Sequence, residues 1–61
     1  MKVKEIIDII EKDGWFFVRQ KESRRQFNHL TKNSTVTIAG KPADDIAKET
    51  QKSILKQAGL R

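Results

Sequence analysis

The chain predicts an α+β fold of αβββα order: a three-stranded antiparallel sheet with two helices on one face. Three observations carry this expectation. Residues 2–13 place apolar side chains at helical spacing, residues 15–38 hold three strand-like runs broken by turn residues, and a second amphipathic stretch follows Asp44. The connections between the strand-like runs are too short for a crossover, so the strands form a meander. Two helices can then cover only one of its faces.

In the first helix, Val3, Ile6, Ile7 and Ile10 fall at i, i+3, i+4 and i+7, while Lys4, Glu5, Asp8, Glu11 and Lys12 take the other side. Gly14 can adopt the left-handed conformation that ends a helix, which sets Trp15 to fold back on Ile10. Trp15 to Gln20 has the aromatic and β-branched content of a strand, Lys21-Glu22-Ser23 is a turn, and Arg24 to Leu30 is a second strand. Alternation puts Arg25, Phe27 and His29 on one face of it and Arg24, Gln26, Asn28 and Leu30 on the other. Thr31 to Ser34 turns the chain, with Asn33 suited to positive φ, and Thr35 to Ile38 is the third strand, with Val36 and Ile38 inward. After the loop Ala39 to Pro42, the last helix is expected from Asp44 or Asp45 to Ala58, its aspartates serving the N-terminus and Lys52, Lys56 and Arg61 lying toward its end. Ile46, Ile54 and Ala58 give it a narrow apolar face. Gly59-Leu60 repeats the stop device against Leu55.

Sixty-one residues fit one domain, 1–61, with a thin core, since apolar residues are 36% of the chain and charged residues 34%. The absence of cysteine excludes a disulfide framework and a thiolate zinc site, and a single histidine argues against a structural metal. No cofactor is expected. With no signal-like start and no membrane-length apolar run, the chain reads as soluble and cytoplasmic.

The charge is concentrated. Residues 14–34 carry Arg19, Lys21, Arg24, Arg25 and Lys32 against Glu22, and the last helix is the other basic region of a chain with net charge +5. A polyanion such as nucleic acid is the natural partner, the alternative being a generally basic, solvated surface. The run Trp15-Phe16-Phe17-Val18 is apolar on both faces of a strand that has helices over only one. This predicts an exposed apolar strip open to a protein partner, reduced if Trp15 tucks onto the first helix.

Three blocks stand out in order: Glu11-Lys12-Asp13-Gly14-Trp15 with Val18-Arg19-Gln20; Phe27-Asn28-His29 with Thr31-Lys32 and Val36-Thr37-Ile38; and Lys52-Ser53-Ile54-Leu55-Lys56-Gln57-Ala58-Gly59-Leu60. Together they resemble the HicA toxins of bacterial toxin–antitoxin systems. The resemblance covers nearly the whole chain. It implies a fold like a double-stranded-RNA-binding domain, an mRNA interferase activity (metal-independent endoribonuclease cleavage of mRNA), and a HicB antitoxin that covers the toxin and represses their operon. The family's Gly-Ser-His-x-x-Phe-x-His reads here as Glu22-Ser23-Arg24-Arg25-Gln26-Phe27-Asn28-His29, and the usual Pro-His after the third strand is Ala39-Gly40.

The implied site therefore has Arg24 at the position of the catalytic histidine and keeps His29. Metal-free RNA cleavage needs a base for the 2′-OH, an acid for the leaving 5′-oxygen and a cation for the phosphorane. Histidine suits the first two roles. Arginine stays protonated and serves only the third. Three outcomes are open. His29 takes over, aided by a bulge or twist, since it lies on the opposite face from Arg24; Arg24 supports weak cleavage by electrostatics; or the chain only binds RNA and antitoxin. For His29 the competing role is a structural strand histidine. Lys21, Ser23, Arg25, Lys32 and Lys41 are the candidate RNA contacts, and Trp15, Phe16, Phe17 and Arg24 the candidate antitoxin contacts. The rival classes are a non-catalytic RNA-binding module and a protein-interaction domain whose basic face meets an acidic partner.

Overall fold

A computed structural model describes residues 1–60; Arg61, expected near the end of the last helix, lies outside the described residues. The order is α1 (Val3–Lys12), β1 (Trp15–Lys21), β2 (Arg24–His29), β3 (Thr35–Ala39) and α2 (Lys48–Gln57). The strands form one antiparallel sheet in the order β1-β2-β3. This is the expected αβββα arrangement. Val3, Ile6 and Ile10 from α1 meet Trp15, Phe27, Val36 and Ile38 from the sheet and Ile54 and Ala58 from the last helical segment in a single buried cluster. Both helices therefore lie on one face. Among the described residues, nothing covers the other face.

Register decides which side chains reach that open face. Phe27 pairs with Phe17 and Val36, and Arg25 with Ile38, so Arg25, Phe27 and His29 belong to the covered side. Arg24, Gln26 and Asn28, with their β3 partners Ala39, Thr37 and Thr35, belong to the open side. In β1 the register shifts between Phe17 and Arg19, leaving Val18 as an unpaired bulge residue. The bulge sorts the apolar run. Trp15 and Phe17 fall on the covered side, Phe16 on the open side, and beyond the bulge Arg19 faces Gln26 and Lys21 faces Arg24. Only Trp15 of the four is buried; Phe16, Phe17 and Val18 stay 44–50% exposed.

The helix stops form as their glycines require. Gly59 at φ 75° donates to the Lys56 carbonyl and Leu60 to that of Leu55, both bonds of a Schellman motif. At the other stop, Gly14 has φ 105° and donates to the Glu11 carbonyl, which turns Trp15 into the core beside Ile10. The start of α2 differs from the expectation. It begins at Lys48 with Ala47 as its N-cap, not at the aspartates. Asp44 instead closes the Pro42 loop, its carboxylate accepting from the Lys41 amide, and its carbonyl accepts from the Val3 amide. Asp45 bridges Lys2, and the Ile46 amide reaches the Met1 carbonyl. Residues 44–46 run beside the N-terminus instead of starting α2, because the Asp44 carbonyl satisfies the Val3 amide and the Ile46 amide pairs with the Met1 carbonyl, an arrangement that local preference alone does not reveal.

Candidate nucleic-acid interface

The turn that carries the motif begins with strain. Glu22 has φ 57°, a left-handed backbone that side-chain-bearing residues rarely adopt. It is the first of two residues linking β1 to β2, the position of a hairpin turn that favours glycine, and the Gln20 side chain steadies it, its Nε2 donating to the Glu22 carbonyl at 2.8 Å. Ser23 follows, exposed, with its carbonyl accepting from the Gly40 amide at the end of β3. The turn thus delivers Arg24 to the open face, directly opposite Lys21 across the β1–β2 pair. Two cations at paired positions repel one another, an arrangement that an anion would relieve.

Along β2 the open face continues with Gln26, whose side-chain oxygen accepts from Arg19 Nε at 3.0 Å, and Asn28, whose side-chain oxygen accepts from the Thr35 hydroxyl at 3.2 Å. Phe16 lies opposite Asn28. The face therefore runs from two cations, through a guanidinium–amide pair, to an aromatic ring beside an amide. Lys41 is exposed beyond the end of β3, in the Pro42 loop.

His29 sits on the covered side, five positions and a face change from Arg24, with only 8% of its side chain exposed. Its Nδ1 accepts from the backbone amides of Thr31 and Lys32, both at 3.0 Å. That leaves Nε2 as the protonated nitrogen, donating to the Asp13 carbonyl. The ring meets the Trp15 indole edge-on at 5.1 Å and packs over Gly14, where a Cβ would come within 2.8 Å of Nε2. The bulge needed to swing this imidazole toward Arg24 does not form in β2; the register shift is in β1. Neither ring nitrogen faces the open side; both bond backbone groups, linking the β2–β3 loop to the end of α1.

The neighbouring cations divide in the same way. Lys32 Nζ donates to Asp13 Oδ2 at 2.6 Å and to the Ala58 carbonyl at 2.8 Å, tying together the C-terminal ends of both helices. The Lys32 ammonium holds the Asp13 carboxyl below its ordinary 3.8, against a partial desolvation that opposes the shift. Arg25 donates from its guanidinium to the Gly40 carbonyl at 3.0 Å on the covered side. Of the expected RNA contacts, Lys21, Ser23 and Lys41 are exposed, whereas Arg25 and Lys32 are committed to internal bonds. Of the expected antitoxin contacts, Phe16, Phe17 and Arg24 are exposed and Trp15 is in the core. Alternation along β2 had already placed Gln26 with Arg24, but sequence reasoning missed its partner Arg19 as a member of the open face. The bulge at Val18 brings Arg19 there, and a period-two reading through the run Trp15 to Lys21 has no signal for it. A shallow polar cup of about 210 Å³, lined by Asn28, His29, Lys32, Asn33, Ser34 and Thr35, lies at the far end of β2 from Arg24.

The αβββα order, with both helices on one face of a three-stranded antiparallel sheet, defines the class: a small single-sheet α+β domain. Residues 3–60 match the family of the HicA toxin of bacterial toxin–antitoxin systems, and the chain belongs to that family. A toxin of such a system implies an antitoxin partner. A comparison with curated proteins gave no match. Among the described residues, no helix is long and apolar enough to cross a membrane.

Proposed function

We propose that this toxin acts on RNA through the open face of its sheet, as a binder whose cleavage chemistry is weakened by Arg24. The observation that carries this reading is the division of labour along β2. The chain's one imidazole is engaged by three backbone groups on the covered side, and a guanidinium occupies the motif position on the open side. Arg24 can hold a phosphate through two parallel N–H bonds and stabilise a phosphorane, but it takes no proton from a 2′-OH. Loss of a general base costs about 10²–10⁴-fold in rate. The pairing of Lys21 with Arg24 favours a second reading, in which two cations on one phosphate sustain slow endoribonuclease cleavage of mRNA by electrostatics alone. In both readings a HicB-type antitoxin neutralises the toxin by covering the exposed run Phe16, Phe17 and Val18 along the β1 edge and reaching across the open face to Arg24.

The deciding experiment compares wild type, Arg24→His and Arg24→Ala on a labelled mRNA and, under inducible expression, on growth. The proposal expects wild type to bind RNA with a marked salt dependence, to cleave slowly or not at all, and to gain cleavage on Arg24→His. Wild-type cleavage as fast as that of Arg24→His, or lost on His29→Gln in a variant that still folds, would overturn it. Co-purification with the product of an adjacent small gene, lost on Phe16→Glu, tests the antitoxin surface.

A further inference from the structure

We propose that the RNA held by this face is an unpaired single strand, laid along β2 with a base stacked on Phe16 and its phosphates on Lys21 and Arg24. The inference rests on the reading that the open face is an RNA surface and goes on to name the form of RNA.

Three cross-strand rows build the face. They are Phe16, Asn28 and Thr35; Arg19, Gln26 and Thr37; and Lys21, Arg24 and Ala39. Successive rows are two β2 residues apart, about 7 Å, so a strand running along β2 crosses each in turn. Their chemistry is graded. The last row offers two adjacent cations and no carboxylate, which suits a phosphate. The first offers a phenyl ring 44% exposed among polar neighbours, which suits the flat face of a base. A duplex keeps its bases stacked inside itself and presents sugars and phosphates, so it would leave Phe16 unused.

The middle groups add a preference. Gln26 and Asn28 each engage their side-chain oxygen within the sheet, with Arg19 and with Thr35. Each is left with its NH₂ to offer. A row of donors favours base edges that accept, so uracil, with a carbonyl where cytosine carries an amino group, fits better than cytosine.

Binding is measured by fluorescence anisotropy with 2′-O-methyl oligonucleotides, which cannot be cleaved through the 2′-oxygen. The probes are oligo(U), oligo(C) and a fully paired hairpin of the same length. The expected result is tightest binding to oligo(U), a loss of about 5- to 100-fold on Phe16→Ala, and near-wild-type binding on Phe16→Tyr. Lys21→Gln and Arg24→Gln should each reduce the slope of log K against log salt by about 0.7. Hairpin binding equal to or tighter than single-strand binding and indifferent to Phe16→Ala overturns the single-strand inference but leaves the RNA reading standing. Equal affinity for oligo(U) and oligo(C) overturns the role given to Gln26 and Asn28. Failure of all three probes to bind overturns both readings together. Thermal melting of each variant separates lost contacts from lost folding.

Discussion

The two faces of β2 use similar residues for opposite ends. On the covered face Arg25 and His29 bond to backbone groups, and nearby Lys32 spans the two helix ends, so polar groups close gaps that the apolar core leaves. On the open face Arg24 and Lys21 stand in pairing positions with no carboxylate between them, and Phe16 is left in solvent. The covered face is satisfied from within. On the proposed reading, RNA satisfies the open face. Basic and aromatic residues close together in sequence thus separate into internally bonded and exposed groups by strand parity, which chemistry of the side chain alone does not decide.

The largest effect expected from breaking this division is on the covered side. His29→Ala removes a nearly buried ring and leaves the Thr31 and Lys32 amides and the Asp13 carbonyl without their partner. The expected cost is about 2–4 kcal/mol, since unpaired polar groups add to the lost packing. In a domain of this size, that lowers Tm by more than about 10 °C. Below its own melting temperature the variant should bind RNA as the wild type does. Calorimetry with anisotropy on the same sample checks both halves. Gly14→Ala should approach the same cost by another route, because φ of 105° and a Cβ at 2.8 Å from the imidazole both oppose the side chain. Arg24→Ala reverses the pattern, with melting little changed and RNA affinity reduced.

The element order was legible because each signal was local. Helical spacing in Val3 to Ile10, β-branched and aromatic runs, and two glycines at helix stops all act over a few residues. Parity within β2 was legible too, since no bulge interrupts Arg24 to His29. Reading the covered side as structural for His29 needed more than parity. It depended on the path of the following loop, which converges the Thr31 and Lys32 amides on Nδ1, and on Asp13, 16 residues away in sequence, lying beneath the ring. The bulge at Val18 and the pairing of residues 44–46 with the N-terminus were hidden for the same reason. Both satisfy partners distant in sequence, so neither leaves a local pattern.

An intermediate effect tests the Lys32 tie through pH. Lys32 lowers the Asp13 carboxyl below its unfolded value, so the folded state favours the ionised form. Sign follows from linkage. The contribution is fully present above the unfolded 3.8 and is lost as pH falls through the lowered folded value. Melting temperature should therefore decline between about pH 5 and pH 2, and Lys32→Met, which also frees the Ala58 carbonyl, should flatten this part of the acid limb. An acid limb unchanged by Lys32→Met would mean that other carboxylates set it. RNA affinity near neutral pH should change little, because Lys32 belongs to the covered side.

The smallest effect sits where the faces meet. Glu22 holds φ of 57° in the turn that delivers Arg24, a conformation glycine adopts without strain. Glu22→Gly relieves it but gives the unfolded chain more freedom, so the net gain should be only about 0.5–1 kcal/mol. It also removes the single carboxylate in residues 14–34, beside Lys21 and Arg24. Affinity for a single strand should therefore rise modestly at low salt, with the gain fading as screening increases. The two readouts are separable. A rise in Tm without a rise in affinity would mean that Glu22 only strains the turn, whereas a rise in affinity that fades with salt would show its carboxylate opposing a phosphate at the Lys21–Arg24 row. If wild type cleaves RNA slowly and Glu22→Gly abolishes that cleavage while keeping affinity, the carboxylate itself supplies the base that Arg24 cannot.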